Sequence, residues 1–412
     1  MGIWSTVTTG RPAQPLVRSP YVSRGIPTLD RRQLLRIFGA VAAAGATGGL
    51  VACTDDDPLN NERPLSGRTI RVGLVAPSSG PYARVGEEIR RGFMLYLETN
   101  NMLLGPHNVN VVTVDEGETV ESAVAAVTSL LSQGVVAIAG VANPDALPEI
   151  ATAVQARQVP LVASNVAPAT LTNALFVWRT SSQMGHAGES LAEYAFQQGP
   201  RAYVMHDDTS LGIEEAARFE AEFEDRGGTV VTGSSSISAM LSDALSRGVD
   251  SIFAAYSGDG AVQVLTALQE YPSHPKLLGP ASLTETIDLV ALRGLPQEVY
   301  TANFYAPDLD NAANRRFVTN YHRAHSAQPT GYALAAYDSA AVLSRAVSLA
   351  GREPTGADIN REFSSLGQIE SPRGTWTFNI NRSPQQKWYL RRLSRDGQVP
   401  SNLLDLDLMV LG

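Results

Sequence analysis

Short apolar runs alternate with amphipathic segments along most of the chain. The run TIRVGLVAP at 69–77 is rich in β-branched residues, and the segment after it places Ile89, Phe93 and Leu97 one helical turn apart. Such patterns predict a buried strand followed by a helix with one apolar face. The same alternation repeats several times, and a second series begins near Arg201.

The alternation determines the predicted fold class. Strands separated by helices of this length predict βαβ units, in which the strands lie parallel and helices cover both faces of the sheet. Two successive series therefore indicate an α/β protein with two doubly wound parallel-sheet lobes. In such sheets, ligands bind beyond the carboxyl ends of the strands, so the loops that follow the strands are the places to search for a site.

The segment before the first predicted strand has the layout of an export signal. Arg31 and Arg32 precede an uncharged run of 16 residues from 37 to 52, which is shorter than the roughly 20 residues that cross a bilayer. A basic segment, a modest apolar segment and small residues in this order are typical of a signal peptide, here of the twin-arginine type. Leu50-Val51-Ala52-Cys53 resembles a bacterial lipobox, which implies that Cys53 is lipidated and becomes the mature N-terminus. The alternative is an ordinary N-terminal helix with a chance cysteine.

This interpretation predicts the bounds of the N-terminal segments and the cellular location of the protein. Residues 1–52 are the predicted lipoprotein signal peptide, and residues 53–68, polar with two prolines, are a predicted flexible tether. We expect an extracytoplasmic protein that is anchored by lipid to the bacterial cell membrane. The signal holds six of the 32 basic residues and one of the 41 acidic residues, so the remaining chain has a formal charge of −14. This charge argues against a nucleic-acid partner.

Ordered motifs in the predicted lobes carry a resemblance to a known family. Ser79-Gly80-Pro81 follow the first strand, and Gly86 enters the first helix. The later motifs are VDEGETVESAVAAVTSLLSQGVVAIAG, VPLVASNVAPATLT, HDDTSLGIEEAARFEAEFEDRGGTVV, GYALAAYDSAAVLSRAV and RGTWTFNINRSPQQKWYLRRLSRDG. Together, over about residues 69–395, they resemble the periplasmic leucine/isoleucine/valine-binding proteins, the branched-chain amino acid group of type I substrate-binding proteins.

The resemblance implies a bilobed clamp that closes on a small molecule and delivers it to the permease of an ABC importer. It also implies a closing β-hairpin in the last motif and a hinge of three chain crossings, near residues 178–183, 303–307 and 370–374. The implied lobes are residues 69–180 with 306–371, and residues 181–305 with 372–412.

The first lobe is expected to bind the anionic end of such a ligand. A carboxylate is held well by hydroxyl, amide and backbone donors near helix N-termini, whereas an ammonium needs an acidic or aromatic partner. The loops of the first lobe supply donors of this kind, and the candidates are Ser79, Asn143, Ser164 and Asn165. The alternative is that these side chains only cap the helices that follow them.

The second lobe departs from the family pattern. Branched-chain amino acid binding proteins have the sequence Gly-Pro-Glu in one loop, and the glutamate binds the ammonium of the ligand. This chain has Ala281 at the position of that glutamate. It also has Leu211 at a position where the family often has an aromatic residue. Glu285 and Asp259 are the candidate substitutes, and otherwise amides, urea-like compounds, hydroxy acids and small aromatics remain open as ligands. The aromatic candidates for the cleft wall, which have a core position as their alternative, are Tyr256, Tyr305 and Tyr332.

Other classes of function have weaker support in the sequence. The chain contains no Gly-x-Ser-x-Gly elbow, no phosphate-binding Walker loop and no His-Glu-x-x-His motif. His322 and His325 have metal-ligand spacing on a predicted helix but no evident acidic or cysteine partner. We therefore expect a monomeric binding protein with no enzymatic activity, no cofactor and no metal. The main alternative is a receptor of the same fold that signals to a membrane partner.

Overall fold

The first of two sheets contains the strands of the first third of the domain. The computed structural model describes residues 67–171, 173–233, 236–292 and 294–412. The strand order is β2-β3-β1-β4-β5-β6, and every pairing is parallel except β2 with β3. Its strands are β1 Thr69–Val75, β2 Leu103–Leu104, β3 His107–Val114, β4 Ala137–Gly140, β5 Leu161–Ala163 and β6 Val177–Arg179.

The second sheet combines five parallel strands with strands from the C-terminus. Its order is β12-β13-β11-β10-β9-β7-β8, with β14 paired to β13. The strands β12, β13 and β14 are antiparallel to their neighbours. The strands are β7 Arg201–His206, β8 Thr229–Val231, β9 Ser251–Ala255, β10 Lys276–Pro280, β11 Val299–Asn303, β12 Thr377–Phe378, β13 Pro384–Asp396 and β14 Val399–Leu411.

Eleven α-helices within the described residues cover the sheets and connect their strands. They are α1 Ala83–Thr99, α2 Val120–Ser132, α3 Leu147–Arg157, α4 His186–Gln198, α5 Ser210–Asp225, α6 Ile237–Ser246, α7 Gly258–Leu268, α8 Ser282–Glu285, α9 Ala312–His325, α10 Gly331–Ala350 and α11 Gly356–Phe363. Within this part of the chain, no helix has both the length and the hydropathy of a membrane span.

The helix α1 shows how the sequence pattern becomes packing. Ile89, Phe93 and Leu97 are completely buried, as their helical spacing predicts. This face packs against α10, and the two backbones approach closely at Gly92, where a Cβ atom would lie 1.9 Å from the carbonyl oxygen of Ala333. A glycine in the middle of a helix costs about 1 kcal/mol relative to alanine. Here it permits a contact that any side chain would prevent.

The chain passes between the sheets three times, and Arg373 contacts all three crossings. It lies on the third crossing, and its Nη2 donates to the carbonyl oxygen of Thr180 on the first at 2.6 Å. Its guanidinium carbon lies 4.5 Å from the ring centroid of Phe304 on the second. Its charge is paired with Asp338 of α10, at 2.6 Å from Nη2 and 2.9 Å from Nε. The residue is buried, so this node is shielded from water.

The predicted fold class, two α/β lobes with parallel sheets, is confirmed. Strands of the first sheet fall within residues 69–180, and those of the second within 181–305 and 372–412; the lobe bounds themselves stay predictions. The terminal hairpin differs from the motif that suggested it, because its two long strands turn near Gly397 and run to Leu411. The predicted signal peptide, the lipidation site Cys53 and the tether up to residue 66 lie outside the described residues.

Candidate functional site

A narrow cavity lies between the two lobes, beyond the carboxyl ends of strands from both sheets. The volume of the cavity is about 30 Å³. The wall is mostly apolar and aromatic, with a few hydroxyl, amide and carboxylate groups. It is formed by Val166, Ser181, Ser182, Ala187, Leu211, Glu215, Pro280, Ala281, Ser282, Glu285, Ala302, Asn303, Phe304, Gly331, Tyr332 and Trp388.

Two aromatic residues add polar hydrogens to this wall. Burial raises the pKa of Tyr332, and the nearby Glu285 raises it further, so the phenol keeps its proton. Trp388 is 3% exposed, and its indole N–H has no hydrogen-bond partner among the described residues. An indole N–H that is removed from water usually has an acceptor. This donor of the wall residue Trp388 is therefore left without an acceptor from the described residues.

Glu285 connects the lobes from inside the cavity wall. Its carboxylate is paired with Arg391, a buried residue of β13 in the second lobe. Its Oε2 also accepts the backbone N–H of Gly331, at the start of α10 in the first lobe, at 3.0 Å. Its carbonyl oxygen accepts a 3.3 Å hydrogen bond from Nε of Arg84 on α1. The carboxylate is thus already neutralised by a protein cation before any ligand binds.

Glu215 is a second buried carboxyl group on the wall, and it was not among the sequence candidates. Its Oε2 accepts the backbone N–H of Gly188, in the first turn of α4, at 2.7 Å. Burial raises the pKa of Glu215 to about 7, against the opposing effect of the N–H donors of α4. The sequence could have indicated that Glu215 is buried, because it lies three positions after Gly212 and four before Phe219, on the buried face of α5.

The donor groups of the first lobe are largely engaged within the protein. Glu116, buried after β3, accepts the backbone N–H groups of Ala142 and Asn143, both at 2.7 Å. Desolvation raises the pKa of Glu116 to about 7. The Asn143 side chain accepts the N–H of Asp145 at 3.1 Å and so caps the short 3-10 helix that follows it. These groups are occupied by internal partners and do not line the cavity.

The two candidates after β5, Ser164 and Asn165, also form hydrogen bonds within the protein. Ser164 is completely buried, and its Oγ lies 2.9 Å from Oγ of Ser339 on α10. Nδ2 of Asn165 donates to the carbonyl oxygen of Ala142 at 2.6 Å. Its Oδ1 has no hydrogen-bond partner in the described part of the chain. The cavity is lined from this loop by the next residue, Val166.

The remaining candidates lie at the surface or in the core. Ser79 and Asp259 are exposed. The hydroxyl of Tyr305 donates to Oδ1 of Asn314 at 3.0 Å in the core, and Tyr256 is buried in the core of the second lobe. The cavity therefore brings together four of the eleven candidates, Leu211, Ala281, Glu285 and Tyr332. A direct ligand contact stays a prediction for every one of the eleven.

Comparisons with known proteins identify the family. The sequence model described as periplasmic binding protein matches residues 69–398, most of the described chain. The chain is 26% identical over 344 residues to Leu/Ile/Val-binding protein homolog 6 of Brucella suis biovar 1, an alignment that covers 79% of this chain and 88% of that protein. It is 21% identical to a leucine-, isoleucine-, valine-, threonine- and alanine-binding protein of Pseudomonas aeruginosa, covering 84% of this chain and 92% of that one.

Solved structures show the same architecture. An ABC transporter solute-binding protein from R. palustris, in complex with benzoate, is 26% identical with a TM-score of 0.72, covering 83% of this chain and 97% of that one. A branched-chain amino acid transporter substrate-binding protein from Streptococcus pneumoniae, in complex with isoleucine, shares the fold at 16% identity and a TM-score of 0.70, covering 82% of this chain and 100% of that one. This chain, with its two lobes and the cavity between them, belongs to the periplasmic binding protein family of solute-binding proteins, as its resemblance to the leucine/isoleucine/valine-binding group implied.

Proposed function

We propose that this protein is an extracytoplasmic, lipid-anchored solute-binding protein that captures a small molecule between its lobes and delivers it to an ABC importer. The observation that carries the proposal is the cavity, because both lobes contribute to its wall. Val166 and Tyr332 come from the first lobe, and Ala281 and Glu285 come from the second. A site of this kind is complete only when the lobes are together, which couples ligand binding to domain closure.

The size of the cavity supports a mechanism of opening and closing. The 30 Å³ that is open to water is room for one or two water molecules, far less than an amino acid needs. Entry of a ligand therefore requires the lobes to separate. Separation would break hydrogen bonds that cross the cleft at the wall, among them those of Glu285 with Gly331 and Arg84. A ligand that contacts both lobes offsets this loss and so favours closure.

The names of the relatives define the compounds to test. The curated relatives are Leu/Ile/Val-binding proteins, and the solved structures hold branched-chain amino acids or aromatic acids. Fold alone does not determine the ligand, so both classes and their amides belong in the first panel. A receptor that signals to a membrane partner would bind a ligand in the same way. It would differ by supporting no uptake of that ligand in cells that also contain the permease.

Ligand binding is expected to stabilise the purified protein and change the fluorescence of Trp388. A compound at 100 times its Kd should raise the free energy of unfolding by about 2.7 kcal/mol, which a thermal shift detects. Trp388 lines the cavity, whereas Trp178 and Trp376 lie in the first-lobe core. The matched control is Trp388→Phe, which should lose most of the fluorescence change. No response to any compound of the panel, by either readout, would contradict the proposed function.

The lipid anchor is tested separately by Cys53→Ser. Acyl chains contribute about 0.8 kcal/mol for each buried methylene group, so two or three chains hold a folded domain at a membrane surface. Without the thiol, we expect the processed protein to leave the membrane fraction, measured by fractionation and immunoblotting of cells that export it. The wild-type protein, which should stay with the membranes, is the control. A Cys53→Ser protein that is cleaved normally and still sediments with membranes would exclude this anchor.

A further inference from the structure

Arg179 is a buried cation that the described residues leave without an anionic partner. It is the last residue of β6, where the first crossing begins, and it is 1% exposed. Its Nη2 donates to the carbonyl oxygen of Asn381, whereas Nε and Nη1 are buried with no hydrogen-bond partner among those residues. A buried charge is normally paired, because an ion loses its hydration when it leaves water. The positive charge and two N–H groups of Arg179 are therefore uncompensated within this part of the chain.

A second cation, Arg382, lies beside Arg179. It belongs to the loop 379–383 between β12 and β13, and its backbone carbonyl accepts the N–H of Arg179 at 3.0 Å. Its guanidinium carbon is 5.4 Å from the ring centroid of Trp178, which is uncharged, and its Nε has no partner among the described residues. Neither arginine forms an ion pair with a carboxylate of those residues. Burial lowers the pKa of Arg179 to about 10, and the charge of Arg382 contributes to this shift.

The loop that carries Arg382 is held in a strained shape against the hinge. Arg382 has a φ of 60°, in the left-handed region that a residue with a side chain rarely adopts. Such conformations persist where the surrounding structure holds them, and they cluster at ligand-binding sites. Oδ1 of Asn379 accepts the N–H groups of Asn381 and Ser383, at 2.8 and 3.0 Å. Oγ of Ser383 accepts Nε2 of Gln183, on the first crossing, at 3.1 Å. These bonds fix the loop to the first crossing and so keep the two arginines together.

We propose that a small monovalent anion such as chloride binds beneath the loop 379–383, where it accepts hydrogen bonds from Arg179 and is attracted by Arg382. The donors define this class of ligand, because a guanidinium only donates and always carries a positive charge. A neutral acceptor such as water would fill the N–H groups but leave both charges uncompensated. The N–H groups of Arg179 are buried beneath the loop, which favours a compact ion over a large organic anion. The site is separate from the cavity between the lobes, so it does not depend on which solute the cavity binds.

The anion is expected to strengthen the hinge. Like charges that are shielded from water repel strongly, and an anion beside them replaces this repulsion with attraction. Because Arg179 begins the first crossing and Arg382 lies in the loop before β13, an anion that attracts both side chains holds these two segments together. The anion binds the folded protein and not the unfolded chain, so stability should rise with its concentration. This rise should exceed the general effect of ionic strength, which acts on exposed charges.

The first test is thermal unfolding of the full chain in sodium chloride and in sodium gluconate at the same ionic strength, because gluconate is a large organic anion. Chloride at about 100 times its dissociation constant should raise the melting temperature by at least about 3 °C relative to gluconate. Arg179→Met removes the buried charge and its donors, so it should lose most of this shift. The matched control is Arg392→Met at an exposed position of β13, which should keep the shift. A structural role alone would make Arg179→Met melt lower by the same amount in both salts and leave the shift intact.

The second test locates the anion directly. Crystals grown in sodium bromide, which replaces chloride with an anomalous scatterer, should show an anomalous peak in contact with the guanidinium of Arg179. If Arg179→Met does not fold, Arg382→Met at a half-buried position is the second variant, and it should reduce the chloride shift by more than half. A bromide peak at Arg179 together with loss of the chloride shift in these variants supports the proposal. It is overturned if no bromide peak touches Arg179, or if the variant that folds keeps the full shift of the wild type.

Discussion

Glu285→Gln is expected to lower the free energy of unfolding by about 3–5 kcal/mol. Removing one partner of a buried ion pair leaves the other as an uncompensated charge, and losses of this size follow. Arg391 is completely buried, and its remaining neighbours are the carbonyl oxygen of Tyr305 and the hydroxyl of Thr301, both neutral. Urea denaturation followed by circular dichroism gives the measurement.

A double variant shows whether the fall in stability comes from losing the ion pair or from leaving the charge of Arg391 without a partner. Buried ion pairs can often be replaced by apolar residues of similar volume at little cost, so Glu285→Leu combined with Arg391→Met should recover much of the stability. The control is Arg68→Ala, because Arg68 pairs with Glu353 at an exposed site and should cost less than about 1 kcal/mol. A loss below about 1 kcal/mol in Glu285→Gln would mean that this carboxylate is free to serve a ligand, as the sequence suggested.

Arg373→Met is expected to have an effect of similar size, and it should also alter the hinge. The substitution keeps the apolar stem but strands Asp338 as a buried carboxylate, at a cost of about 3–5 kcal/mol. It also removes the hydrogen bonds to Thr180 and Gln386 that join the first crossing to β13. With the crossings uncoupled, we expect the lobes to open more readily, which small-angle scattering should detect as a larger radius of gyration.

The control for this prediction is Arg361→Ala, whose partner Asp358 lies on the same exposed helical turn, so the variant should keep a stability close to that of the wild type. Asp338→Asn provides the reciprocal test, because it strands Arg373 instead and should destabilise by a similar amount. If Arg373→Met or Asp338→Asn were as stable as the wild type, water would have to reach the buried pair. If the radius of gyration of Arg373→Met were unchanged, Arg373 would have no role in lobe closure.

Three buried acidic residues, two of them on the cavity wall, explain why the site was only partly predictable. In the sequence, Glu116, Glu215 and Glu285 look like ordinary acidic positions near helix ends or on a helix face. In the structure each accepts backbone N–H groups from a distant segment, 26 to 46 residues away. Backbone donors at helix starts attract anions, and here carboxylates of the protein itself occupy them. Sequence reasoning assigned such donors to a ligand carboxylate, because nothing local reveals an internal competitor.

The sequence by itself determined the alternation of strands and helices, and therefore the α/β class and the two parallel sheets. These features depend on local periodicity, which a single chain displays directly. It also located loops near the site, since residues such as Leu211 and Ala281 follow strands of predictable position. The tertiary structure decided which side chains line the cavity and which carboxylates are already paired. Those properties arise from contacts between segments that are far apart in the chain: burial raises the pKa of Glu215, and Arg391 of a distant strand pairs with Glu285.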